Sequence, residues 1–237
     1  MRKIYILLFL LTICNFTNSQ NALYYNNKGS DFANAKDYYL AILNFSKAIS
    51  IDDKFDEAYY NRGQVYMVTE DFNAAILDYN MAIKLNPAKY EYYKERGLVK
   101  FKISDYKGAI SDFSLSENLF ARDPIVFYFR GSARTEIHDY QNAIIDFSLA
   151  LTFKPDMADS YYARGLSYMY IAEYQKAESD FTNSIKFNNQ DAISYYARGI
   201  VRWQLNKKFD ACVDITESAK LGNQDALKFL KDNCFSY

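Results

Sequence analysis

One histidine, three cysteines and three prolines are all that 237 residues hold of those types. A lone imidazole, His138, builds no metal site, and the chain has no other ligand spacing, phosphate-cradling loop or nucleophile motif. Carboxylates are numerous, but most recur at a fixed interval and no pair stands out. Composition therefore points away from catalysis, and it implies no cofactor. Positive charge is not in excess either. Lys and Arg number 28 against 29 acidic residues, a net charge of −1, so nucleic acid is not an expected partner. Glycine is scarce, with eight in all. What the chain does have is apolar and aromatic. Half of it is hydrophobic, with 23 Tyr and 18 Phe, which supplies a core and argues against disorder.

The first nineteen residues differ from the rest. Arg2 and Lys3 precede an apolar run from Ile4 to Ile13, and a polar stretch follows. That is the build of a secretory signal peptide, too short to span a bilayer as a mature helix. Thr17 and Ser19 place cleavage before Gln20. Loss of 1–19 removes two positive charges and no negative one, taking −1 to −3. Cys14 sits where a lipidated Cys would, but Ile13 replaces the small residue such a site needs, so Cys14 is expected to leave with the leader. The expected location is export to the periplasm or outer envelope, with secretion as a further option and no membrane span in the mature chain.

Six of the glycines fall at 29, 63, 97, 131, 165 and 199, a constant step of 34. A glycine within a helix costs about 1 kcal/mol relative to alanine. Its return at one phase marks a place where no larger side chain fits. Four residues before each Gly stand Tyr25, Tyr59, Tyr93, Phe127, Tyr161 and Tyr195. Twelve after it an Ala recurs, from Ala41 to Ala211. Sixteen after it come Phe45, Tyr79, Phe113, Phe147, Phe181 and Ile215. These spacings are helical, so each repeat reads as two antiparallel helices joined by a turn. Asp37, Asp71, Asp105, Asp139 and Glu173 precede the second helices as expected N-caps. Pro87 and Pro155 stop repeats two and four.

This pattern resembles the tetratricopeptide repeat, whose signature is an aromatic at position 4, Gly at 8, Ala at 20, an aromatic at 24 and a small residue at 27. Six repeats start at 22, 56, 90, 124, 158 and 192 and fill residues 20–223 without insertion or deletion. Residues 224–237 read as a capping helix, the first half of an unfinished seventh repeat. Repeat six departs from the pattern. It has Lys207 where the others have an acid, and its aromatic is displaced to Phe209. The resemblance implies an all-α, right-handed superhelical solenoid whose first helices line a concave, non-enzymatic groove for a protein or peptide partner. At position 5 the groove would carry Tyr60, Lys94, Tyr128, Tyr162 and Tyr196; at position 12, Phe101, Met169 and Trp203; and at position 13, Tyr170. Large, stiff Tyr and Trp side chains suit recognition, although the same Tyr also suit packing between repeats. Some relatives clamp a peptide carboxylate with paired basic residues, a set not reproduced here. Self-association through the solenoid ends and glycan binding on the aromatic row are the competing readings, and oligomerisation is left open. In this fold Cys212 faces the capping helix, so a structural disulfide to Cys234 is expected.

One further series needs partners. Arg62, Arg96, Arg130, Arg164 and Arg198 lie three residues past the core aromatic, on the packed side of the first helix. The only acidic series on the second helix with the same period is Asp78, Asp112, Asp146, Asp180 and Asp214. Pairing within a repeat satisfies all five Arg. Pairing with the next repeat would set Asp214 against Asp232, a like charge. The within-repeat register is the expected one.

Overall fold

The computed structural model describes residues 20–120 and 122–234. The expected signal peptide and the terminal Phe235-Ser236-Tyr237 lie outside them. Among the described residues thirteen α-helices follow one another without a strand. Residues 20–34 form α1. It is followed by α2 (Tyr38–Ile51), α3 (Asp56–Val68), α4 (Phe72–Leu85), α5 (Tyr90–Lys102) and α6 (Tyr106–Leu119). Then come α7 (Pro124–Glu136), α8 (Tyr140–Phe153), α9 (Ala158–Tyr170), α10 (Tyr174–Phe187), α11 (Ala192–Gln204) and α12 (Lys208–Lys220). The short α13 (Gln224–Phe229) runs into a π-helical turn, Leu230–Cys234. None of the described helices is long and apolar enough to cross a membrane. The chain divides into two compact halves, Met1–Phe120 and Ala121–Tyr237. Within each half, a second helix packs on its own first helix and on the next one, as in α4 against α3 and α5 or α10 against α9 and α11.

The repeated glycines sit where the two helices of a repeat touch. A Cβ on Gly131 would stand 2.9 Å from the Phe147 ring, and Gly63, Gly97 and Gly165 meet Tyr79, Phe113 and Phe181 in the same way. Those rings are fully buried. Gly131→Leu should therefore overpack the α7–α8 contact and cost about 1–3 kcal/mol. Chemical denaturation measures it, and an unchanged midpoint would show that Phe147 simply swings aside.

The expected ion pairs form within each repeat. Arg62 donates from Nε and Nη2 to the two Asp78 oxygens at 2.8 Å each. Arg96–Asp112, Arg164–Asp180 and Arg198–Asp214 repeat that fork. Burial opposes the Arg62 charge, but the Asp78 hydrogen bonds and field outweigh it and the Arg62 pKa is raised. Each guanidinium also lies over the aromatic three residues before it, 5.6 Å from the ring centre for Arg164 on Tyr161. A further contact was not expected. Nη1 reaches back sixteen residues to the preceding repeat, from Arg62 to Ser46, Arg96 to Asn80, Arg164 to Ser148 and Arg198 to Thr182. The arginine thus ties three helices, which gives a reason for its return in five of the six repeats.

Two details of the turns correct the sequence reading. Asp37, Asp71 and Asp105 do cap, each accepting the N–H three residues on. Asp139 and Glu173 make no side-chain cap bond. Asp139 instead accepts both its bonds from Asn142 Nδ2. Glu173, one methylene longer, leans to Lys176. The turn before each cap also passes through the left-handed region at Lys36, Glu70, Ser104, His138, Ala172 and Asn206, with φ between 59° and 63°. None of these is glycine. The backbone bonds from Asp37 N–H to Phe32 and from Asp71 N–H to Tyr66 close Schellman-type helix ends that hold the strain. In repeat six Lys208 takes the place of the half-buried aromatic that opens the other second helices, and Phe209 stands 81% exposed.

Candidate functional site

The first helices of successive repeats touch one another within each half, α3 with α5, α7 with α9, and α9 with α11. They carry the position-5 tyrosines, which share one geometry. Tyr60 stands 6.0 Å from the Tyr79 ring, Tyr128 6.0 Å from Phe147, and Tyr162 5.7 Å from Phe181. Each is half-buried. Each ring leans on the buried aromatic of its own repeat and stays partly exposed. Tyr196 does the same against the cluster of Ile215, Ala226 and Leu230. Packing and display are thus two faces of the same rings.

The remaining predicted groove residues fall into two groups. Met169 packs with Tyr162 onto the Ala177, Phe181, Ala197 and Val201 cluster. Trp203 meets Phe229 of α13 edge-on at 5.3 Å and holds the Lys208 ammonium 5.2 Å from its ring centre. Phe101 and Tyr170 turn towards the interhelical turns instead. Phe101 packs edge-on to Tyr106 at 5.6 Å, and the exposed Tyr170 stacks on Tyr140 at 4.8 Å. Lys94, expected as an exposed cation, has its side chain only 19% exposed, with its ammonium 3.9 Å from Glu95 and 5.6 Å from the Tyr90 ring centre. His138 is a turn residue whose Nδ1 lies 2.8 Å from the Tyr140 hydroxyl.

The electrostatics have a direction that the sequence reading missed. Each position-5 tyrosine faces a carboxylate from around the start of the next first helix. Burial raises the Tyr162 pKa to about 12, with help from Asp191. Burial also raises Tyr128, with Asp159 adding to it, and Tyr196, with Asp225 adding to it. Tyr60 is pushed well above the ordinary phenol range by burial and then by Glu95 and Glu91. A reader of the sequence has the signal in hand, an acid 29 or 31 residues after the tyrosine, but only the packing of successive helices makes the two neighbours.

Cys212 on α12 and Cys234 at the end of the π-turn are disulfide-bonded, with their Cα atoms 5.9 Å apart. Ala226 and Leu230 of the capping segment cover Ile215, while Tyr196 and Ile200 flank the contact. Asn223 caps α13 by accepting the N–H groups of Asp225 and Ala226.

An array of antiparallel helix pairs with a 34-residue register defines the class, and the comparisons agree with it. Models of the tetratricopeptide repeat match residues 56–89 and 158–191. No curated protein matches the chain in sequence. Similar solved structures include PilF of Pseudomonas aeruginosa, with a TM-score of 0.75 at 14% identity over 91% of this chain and 99% of that one. YrrB, described as a TPR protein with an unusual peptide-binding site, gives 0.72 at 16% identity over 79% and 97%. MamA from Desulfovibrio magneticus RS-1 gives 0.68 at 18% over 71% and 95%. At these identities the likeness is one of fold. The chain carries tetratricopeptide repeats and has the fold of proteins built from them.

Proposed function

We propose that the protein is a non-enzymatic interaction scaffold of the cell envelope that holds a protein or peptide segment on its first-helix face. The observation that carries this reading is the recurrence of half-buried tyrosines at position 5 in both halves, each anchored on a buried aromatic and still partly exposed. Rings fixed in this way bury large area on binding at little entropic cost. The description of YrrB as peptide-binding supports the same use of the fold. Export is supported by the leader-like first nineteen residues and by the disulfide, a bond that persists in oxidising compartments.

The test is affinity capture by the full chain from its own envelope fraction, repeated with Tyr162→Ala/Tyr196→Ala. The double variant should lose the captured partner while its far-ultraviolet circular dichroism stays unchanged. Undiminished capture would move the site off this face. A second reading, self-association through the C-terminal end, is favoured by the exposed Phe209 and Val213 on α12. Light scattering on the eluting size-exclusion peak decides it, because a strictly monomeric mass removes that reading.

A further inference from the structure

Two cavities, one in each half, carry the same set of side chains. In the N-terminal half a cavity of about 250 Å3 is lined by Glu57, Tyr60, Asn61, Lys89, Glu91 and Tyr92. In the C-terminal half one of about 260 Å3 is lined by Tyr196, Asp225, Lys228, Phe229, Asp232 and Asn233. Each has two carboxylates, one lysine, one asparagine and two aromatic rings, and each contains a position-5 tyrosine. Both are net negative by one charge, since two carboxylates face one ammonium.

We propose that each cavity receives an arginine side chain from a basic segment of the bound partner. This rests on the first-helix face being the binding face and adds the chemistry of what it binds. In the N-terminal cavity Lys89 sits 3.8 Å from Glu57, with both side chains about half exposed, so Glu57 is already partly neutralised. Glu91 is not. Its Oε2 is shielded from solvent and takes no hydrogen bond, one of only two such side-chain atoms among the described residues. The other is the hydroxyl of Tyr79, whose ring lies 6.0 Å from Tyr60. A carboxylate with one oxygen out of water and without a donor is poorly stabilised, and a cation seated in the cavity that Glu91 lines supplies the missing countercharge. A guanidinium brings five donors in a plane and a flat face that stacks on tyrosine. The half-buried Tyr60 ring, backed by the buried Tyr92 ring 4.9 Å away, supplies the wall for that face. An acidic segment would meet two carboxylates in each cavity, and an apolar one would bury Glu91 further with no compensation.

The experiment is fluorescence anisotropy on the full chain at low ionic strength. The probes are three labelled, end-blocked peptides of twelve residues in which serine alternates with arginine, lysine or glutamate. The arginine peptide should bind, and more tightly than the lysine peptide. The glutamate peptide should not bind. Glu91→Gln and Asp225→Asn should each weaken the arginine peptide by about tenfold, as loss of a charged hydrogen-bond acceptor does. Their melting temperatures should stay at the wild-type value, which separates lost binding from lost fold. Wild-type affinity in the Glu91→Gln/Asp225→Asn double variant, lysine binding as tight as arginine, or equal binding of the glutamate peptide overturns the proposal. If no arginine peptide binds while Tyr162→Ala/Tyr196→Ala still abolishes partner capture, the cation sites fall and the binding face stands. If the charge variants weaken the arginine peptide but the tyrosine variant captures normally, the reverse holds.

Discussion

Asp146→Ala should destabilise the protein by about 3–5 kcal/mol, the usual consequence of stranding a buried charge. Asp146 is wholly buried. Arg130 Nε donates to both of its oxygens at 3.1 Å, and Arg130 Nη2 donates to Oδ1 at 2.7 Å. A second guanidinium, from Arg134, reaches Oδ2 at 2.7 Å. Removal of the carboxylate takes the Asp146 charge away from Arg130, which is itself only 5% exposed. The same change at Asp78 should cost less, because the Arg62 side chain is 19% exposed against 6% for Arg130. Urea denaturation of the two variants tests both the size and the ranking. A loss at Asp146 within about 0.5 kcal/mol would mean that Arg130 finds water and that the ladder is not a core element. Replacing the whole pair, Arg130→Met with Asp146→Leu, should recover much of the loss, since two well-packed apolar side chains carry no desolvation cost.

Cys212→Ser should cost about 3 kcal/mol on the chain-entropy account of a bridge that closes a loop of this size. The capping segment shows why the bond matters locally. Its α13 has six residues and its π-turn five, and only Ala226 and Leu230 are buried. A helix that short does not hold itself together in water. Without the bridge it should fray and uncover Ile215, the last core side chain of the array. Intact mass with and without reductant reads the bond directly, as a gain of two hydrogens on reduction. Two free thiols in exported protein, or a thermal midpoint unmoved by reduction, would show that apolar packing alone secures the cap.

The 34-residue step made the helix pairs, the glycine–aromatic contacts and the arginine–aspartate register readable before any coordinates. Each signal is weak once and strong when it recurs five or six times. Counting also settled the register, because charges at the ends of the array have to find partners. The conformation of the turns was not readable in this way. Lys36, Glu70, Ser104, His138, Ala172 and Asn206 share a left-handed backbone but no side-chain chemistry, since the helix-end hydrogen bonds impose it on whatever residue is there. Asp139 and Glu173 matched the capping pattern and lost the role to local competition, from the Asn142 amide and from side-chain length.

The groove residues divide along the same line. That Tyr60, Tyr128, Tyr162 and Tyr196 occupy equivalent faces of their own helices followed from their phase alone, because helical periodicity puts equal positions on equal faces. How far each ring is sunk, and which carboxylate stands beside it, followed from the neighbouring first helix that packs against it. Phe101 and Tyr170 share a helix end and lie against Tyr106 and Tyr140, contacts between separate helices that spacing alone does not show. Sequence by itself determined the architecture, since repetition turns local spacing into a count of elements and contacts. Tertiary structure alone decided how deeply the position-5 tyrosines sink and which carboxylates stand near them, since these arise between residues about thirty positions apart that only the stacking of repeats brings together.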